Sequence, residues 1–202
     1  MTQKTPQLPT PSIEEVEYYL NKWKTLDNYR LQESALNKLF FQLCPNNSDI
    51  SDILLKAATL NDFYSTNIFA IYPVAKHIQS VCNLDERLKT GDVTLVSDIQ
   101  KVIISGVEKN FYSFASKYCS HHNPKDYPIY DSYVDKVLCY FKKNDHFAVF
   151  KTEDLRDYEK FKGIIISFRE FYGLEKYDLK QIDQYLWQLG KEYFSINKKK
   201  KN

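Results

Sequence analysis

The densest set of reactive side chains lies in residues 111–138, FYSFASKYCSHHNPKDYPIYDSYVDKVL, which hold Lys117, Cys119, His121, His122, Tyr130 and Asp131. Three chemistries fit these residue types. A lysine whose amine is kept neutral by burial or by neighbouring positive charge can attack a sugar or carbonyl carbon and form a Schiff base. Lys117 and Lys109 are the candidates, against the alternative that each is a solvated helical lysine. Asp131 follows Pro128 and opens a helix, where a carboxylate accepts backbone N–H groups and is stabilised. It reads as an N-cap that can still face a cleft and polarise a nucleophile. The third chemistry, metal binding, has no support. Adjacent His121 and His122 point in different directions, no CxxC or HxxxH spacing is present, and the pair reads as a polar helix C-terminus. No metal and no cofactor is expected.

Aromatic residues surround these groups. Tyr127, Tyr130 and Tyr133 could stack on bases beside the local lysines, although aromatics at helical spacing more often build a core. Residues 101–151 carry 8 lysines and 5 acids, whereas residues 1–100 carry 9 basic and 12 acidic groups. The positive segment therefore coincides with the reactive one, as an anion-facing surface would require. Outside Lys198–Lys201 the chain is close to neutral, which argues against a generic basic nucleic-acid binder.

Helices must position this set. Phe111, Phe114, Ala115 and Tyr118 share one helical face, and Tyr133, Val134, Val137, Leu138 and Phe141 share another in a second helix. Ser12 with Glu15 and Asp178 with Gln181 read as capping boxes that open the first and last helices. Asp27 and Asp49 open two more, and Pro73 interrupts a pattern running through Ile68, Ile71, Val74 and Ile78. Residues 83–92 read as a loop. A helix over Val93, Val96, Ile99, Val102 and Ile103 ends at Ser105-Gly106. Residues 142–151 form a connector with room for a short strand. A helix through Leu155, Tyr158, Phe161, Ile165 and Phe168 closes at Gly173, and Trp187 packs at the core margin of the last helix.

The prediction is all-α: a single compact orthogonal domain of about nine helices over residues 12–196. A disordered lead over residues 1–11 and a basic tail over 197–202 flank it. The four cysteines, 38, 37 and 20 residues apart, have no zinc spacing and read as small buried or half-buried thiols. No apolar run is long enough to span a bilayer and the N-terminus lacks a signal core, so a cytoplasmic protein with no membrane partner is expected. Oligomeric state is not readable.

The break at Gly106-Val107, the helix after it and the loop ending in YPIYDSYV resemble the helix-hairpin-helix DNA glycosylases, particularly the 8-oxoguanine type. The likeness covers about residues 92–140, and the whole chain is also similar to a group of uncharacterised bacterial proteins. In that superfamily a glycine-containing hairpin grips DNA phosphate. A loop then ends in an aspartate that opens the next helix and is catalytic, and lyase members carry a lysine near the start of the preceding helix. The resemblance implies that Asp131 is that aspartate and Lys109 the positional match for the lysine, with Lys117 further along the helix. Gly106, Lys101 and Lys125 would face phosphates, while Tyr127, Tyr130, Tyr133, His121 and His122 would surround the base. Glu108 departs from the pattern, standing where the hairpin has its second glycine. The implied function is recognition or excision of a damaged or modified nucleobase, with DNA or a modified nucleotide as partner. The alternatives are a non-catalytic nucleic-acid or nucleotide reader and a helical protein-interaction domain.

Overall fold

The computed structural model describes residues 7–195. Among them are ten α-helices and one two-stranded ribbon. In order these are α1 (Ile13–Thr25), α2 (Asp27–Lys38), α3 (Ile50–Phe63), α4 (Ile71–Ser80), α5 (Leu84–Thr90), α6 (Thr94–Gln100), β1 (Lys101–Ile104), β2 (Val107–Asn110), α7 (Tyr112–His122), α8 (Ser132–Asp145), α9 (Tyr158–Phe171) and α10 (Leu179–Phe194). A π-helical turn, Leu39–Leu43, extends α2, and a 3₁₀ turn, Thr152–Arg156, precedes α9. The fold is all-α, and no helix among the described residues is long and apolar enough to cross a membrane.

Short polar side chains cap five of the ten helices as their chemistry dictates. Ser12 accepts a hydrogen bond from the Glu15 amide, Asp49 from Ser51, Asp131 from Tyr133 and Asp157 from Lys160. The Asp178–Gln181 box closes in both directions, at 2.8 and 3.0 Å. Asp27 is the first residue of α2 rather than its cap, which is Leu26. Pro73 lies in the first turn of α4, where its missing N–H costs nothing.

Several segments differ from expectation. The run read as a helix to Ile103 stops at Gln100. Lys101, Val102, Ile103 and Ile104 then pair antiparallel with Val107–Asn110. Ser105 (φ 50°) and Gly106 (φ 77°) both take positive φ, the signature of a two-residue hairpin turn. The β-branched residues on either side favour a ribbon over a helix. Gly106 thus turns a β-hairpin, not a link between two helices. Residues 83–92 are not all loop but contain α5, and the connector after α8 holds no strand. Of the expected disordered lead, Leu8 is buried and its amide donates to the Tyr140 hydroxyl. Residues 1–6 and the basic tail at 197–202 lie outside the described residues.

α7 is the central helix: nine of its eleven residues are buried, and it packs against α3, α5 and α6. α10 lies along α8 on one side and α1 on the other. Gly190 allows the first of these contacts. A Cβ built there would stand 2.7 Å from both Cβ and the carbonyl oxygen of Tyr133. Gly190→Ala is therefore expected to destabilise the chain by about 1–3 kcal/mol, since backbone on α8 must give way. A chemical denaturation midpoint equal to that of the wild type would contradict this packing.

Candidate active site

The loop between α7 and α8 is stitched to its surroundings over Pro128, Ile129 and Tyr130. The Tyr158 hydroxyl donates to Pro128 O, the Tyr130 amide donates to Ser116 Oγ, and the Ile129 amide donates to Asp183 Oδ2. Tyr130 O accepts from both Ser113 Oγ and Lys117 Nζ. This lattice satisfies a buried loop that would otherwise leave orphaned backbone groups. It also fixes Asp131 against α7.

Lys117 and Asp131 meet as a result. Lys117 Nζ lies 3.8 Å from Asp131 Oδ2 and only 2% of the lysine side chain is exposed. The same nitrogen donates to Ser113 Oγ at 2.6 Å, with the Tyr64 ring centroid 5.2 Å away. Asp131 divides its two oxygens: Oδ1 accepts the Tyr133 amide as the cap of α8, and Oδ2 faces the lysine. Capping and facing a cleft coexist. Burial holds the Lys117 amine below its ordinary pKa, against the pull of Asp131 and Asp183.

Both side chains open on a cavity of about 270 Å³, lined also by Trp23, Tyr29, Glu33, Tyr64, Tyr133, Lys180, Asp183 and Trp187. Its far wall is an aromatic corner. Trp23 and Tyr29 lie near-parallel at 5.6 Å, and Trp187 stands edge-on to both, at 5.9 and 5.1 Å. Glu33 anchors that corner by accepting from Trp23 Nε1 at 2.9 Å and pairing with Lys180 Nζ at 3.4 Å. Among the described residues no group of three or more His, Cys, Asp and Glu side chains could hold a metal.

Of the residues singled out from sequence, Lys117, Asp131 and Tyr133 come together here. Lys109 does not: it lies on β2, exposed, opposite Val102. Lys101 and Gly106 belong to the same hairpin. Tyr127 is fully buried, its hydroxyl donating to Arg87 O and Asp92 O, so it is core and offers no stacking face. The Tyr130 ring packs between Tyr112 and Phe161 with its hydroxyl on Asp135. It serves the site through its carbonyl alone.

His121 and His122 form the C-terminal end of α7, as expected, but His121 is buried and His122 is half-buried. His121 Nε2 lies 2.9 Å from the Tyr64 hydroxyl behind the cavity wall. His122 turns the other way, with Nε2 3.4 Å from buried Lys56, and lines a separate polar cavity with Lys125. Trp187 packs at the core margin, as expected, and is also a wall of the site. Trp23, Tyr29, Tyr64, Lys180 and Asp183 were not anticipated. The one available signal was Asp183, an acid set between Ile182 and Leu186 on an apolar face.

The two histidines make stability depend on pH. Burial depresses both imidazoles, His122 to about 3 from the usual 6.5, with Lys56 adding to the effect. Each favours the folded state above the unfolded pKa, and that contribution is lost as pH falls toward the folded one. Asp183 acts in the opposite sense, because burial raises its carboxyl from 3.8 to about 7. Two groups outweigh one, so the melting temperature is expected to rise from pH 4 to pH 6.5. Each group acts with a limiting slope of about 1.4 kcal/mol per pH unit. Thermal melts of His122→Gln should show a flatter dependence; an unchanged slope would contradict its burial as a neutral ring.

Residues 15–126 match the family described as HI_0787_N, N-terminal domain. The chain belongs to that family. The matched segment of this chain holds Lys117, Trp23, Tyr29 and Tyr64, while Asp131 and the α10 wall lie beyond it. An uncharacterized protein of Haemophilus influenzae (strain ATCC 51907 / DSM 11121 / KW20 / Rd) is 56% identical over 138 residues, 68% of this chain. The match spans 66% of that relative, just under two thirds of its length. No solved structure matches the chain.

Proposed function

We propose that the chain is a DNA N-glycosylase-like enzyme that acts on a damaged or modified nucleobase, with Lys117 as the nucleophile and Asp131 beside it. One observation carries the reading: a lysine amine 2% exposed and 3.8 Å from a carboxylate, at a 270 Å³ cavity walled by Trp23, Tyr29 and Trp187. A base must leave the stack before its glycosidic carbon can be reached, and an enclosed aromatic pocket is what receives it. Burial favours the neutral amine that can attack C1′, and Ser113 Oγ and Tyr130 O hold its hydrogens. The resemblance of the YPIYDSYV loop to the glycosylases agrees with this assignment, with Lys117 taking the place first given to Lys109.

The test uses duplexes carrying oxidised, deaminated or alkylated bases, and duplexes with a preformed abasic site. Release of a free base from at least one lesion, and a borohydride-trapped adduct at the abasic site, are expected. Neither reaction, with binding still visible by gel shift, would replace the reading by a non-catalytic nucleic-acid reader. No binding would leave a helical interaction domain.

A further inference from the structure

Lys117 is not the only ionisable group buried in this cavity. Asp183, in the first turns of α10, is 6% exposed and lines the same space. Its one hydrogen bond among the described residues comes from the Ile129 amide to Oδ2, at 3.4 Å. Oδ1 receives no protein donor and is not sealed off, so it opens on the cavity. Asp131 differs: it is 23% exposed and one of its oxygens is held by the α8 cap. The groups facing Asp183 come from several elements. They are Lys117 on α7, Asp131 at the head of α8, Tyr158 on α9, Tyr64 at the end of α3, Glu33 on α2 and Lys180 one turn back on α10. His121 stands behind Tyr64.

We propose that Asp183 is the proton carrier of the site, giving a proton to the departing base and recovering one from the Lys117 nitrogen. The assignment rests on the reading of Lys117 as nucleophile. The Lys117 lone pair forms a bond to C1′ as the C1′–N bond breaks and its electron pair leaves with the base. The acid form of Asp183 supplies the proton that neutralises that base. The Lys117 nitrogen, now bonded to carbon and positively charged, returns a proton to the Asp183 carboxylate. Nothing else is consumed, and the carboxyl ends as it began. Burial raises this carboxyl to about 7, against Lys180 and Lys117, which places it where it can both give and take a proton near neutrality.

A carboxylate that merely balances the charge of the lysines would affect every reaction of the site equally. A proton carrier for the leaving base would not. At a preformed abasic site the base is gone, water fills its place, and water carries the proton. The experiment compares wild type with Asp183→Asn on duplexes bearing an intact lesion and on abasic duplexes, across pH 5.5 to 8.5. Base release by Asp183→Asn is expected to fall by about 100-fold or more, while borohydride trapping at the abasic site stays close to wild type. Trapping by the variant also reports that its site is folded. Wild-type base release should decline as pH rises past about 7, and the residual rate of the variant should lack that limb.

Wild-type rates of base release in Asp183→Asn would overturn the proposal, and so would a parallel loss of both reactions. A wild-type protein that traps abasic DNA but frees no base would overturn it while leaving the Lys117 chemistry standing. A wild-type protein that does neither removes the reading of Lys117, and this assignment with it.

Discussion

Lys117→Met is expected to lose the borohydride-trapped adduct and base release together, by about 10³-fold or more, while Lys109→Gln keeps both. The contrast follows from placement. Lys109 is exposed on β2 and does not line the cavity. Lys117 is 2% exposed, lies 3.8 Å from Asp131, and faces the cavity. Methionine has similar length and leaves Tyr130 O hydrogen-bonded to Ser113 Oγ, so the loop keeps a tie to α7. Removing a buried amine also removes the cost of desolvating it. The melting temperature should therefore not collapse with the activity. Equal loss in both variants, or loss of folding in Lys117→Met, would point to a structural lysine.

Asp131 offers the second large effect, because its two oxygens separate stability from chemistry. Asparagine caps helices about as well as aspartate, so Asp131→Asn should preserve the hydrogen bond from the Tyr133 amide and melt near the wild-type temperature. It nevertheless removes the carboxylate facing Lys117, and activity should fall by about 100-fold or more. Asp131→Ala should lose the same activity and, in addition, about 1 kcal/mol of stability from the missing cap. Full activity in Asp131→Asn would show that Asp131 is a cap and nothing further. The three proteins compared by thermal melt and by single-turnover base release settle the matter.

The legible parts of this protein are those written in local sequence. The all-α class follows from helical spacing of apolar residues, and the caps at Ser12, Asp49, Asp131 and Asp178 form as their side-chain chemistry requires. Lys117 and Asp131 could be named because only a short loop separates their helices. The hairpin was misread because Val102 and Ile103 extend a helical pattern, while the positive φ at Ser105 and Gly106 overrides it. The rest of the cavity was out of reach for a different reason. Trp23, Tyr29 and Glu33 come from the start of the chain, and Lys180, Asp183 and Trp187 from its last helix. Only the packing of α10 against α1 and α8 brings them to Lys117. No local pattern encodes that meeting, although an aspartate on the apolar side of α10 hinted at it. Tyr127 and Tyr130 erred in the opposite direction, since aromatic type and proximity in sequence say nothing about which way a ring turns.

Peptide mapping by mass spectrometry of the borohydride-reduced adduct with abasic DNA identifies the nucleophile. The sugar remnant is expected on the peptide containing Lys117. Attachment at Lys109 or at the C-terminal lysines, or no adduct at all, would contradict it.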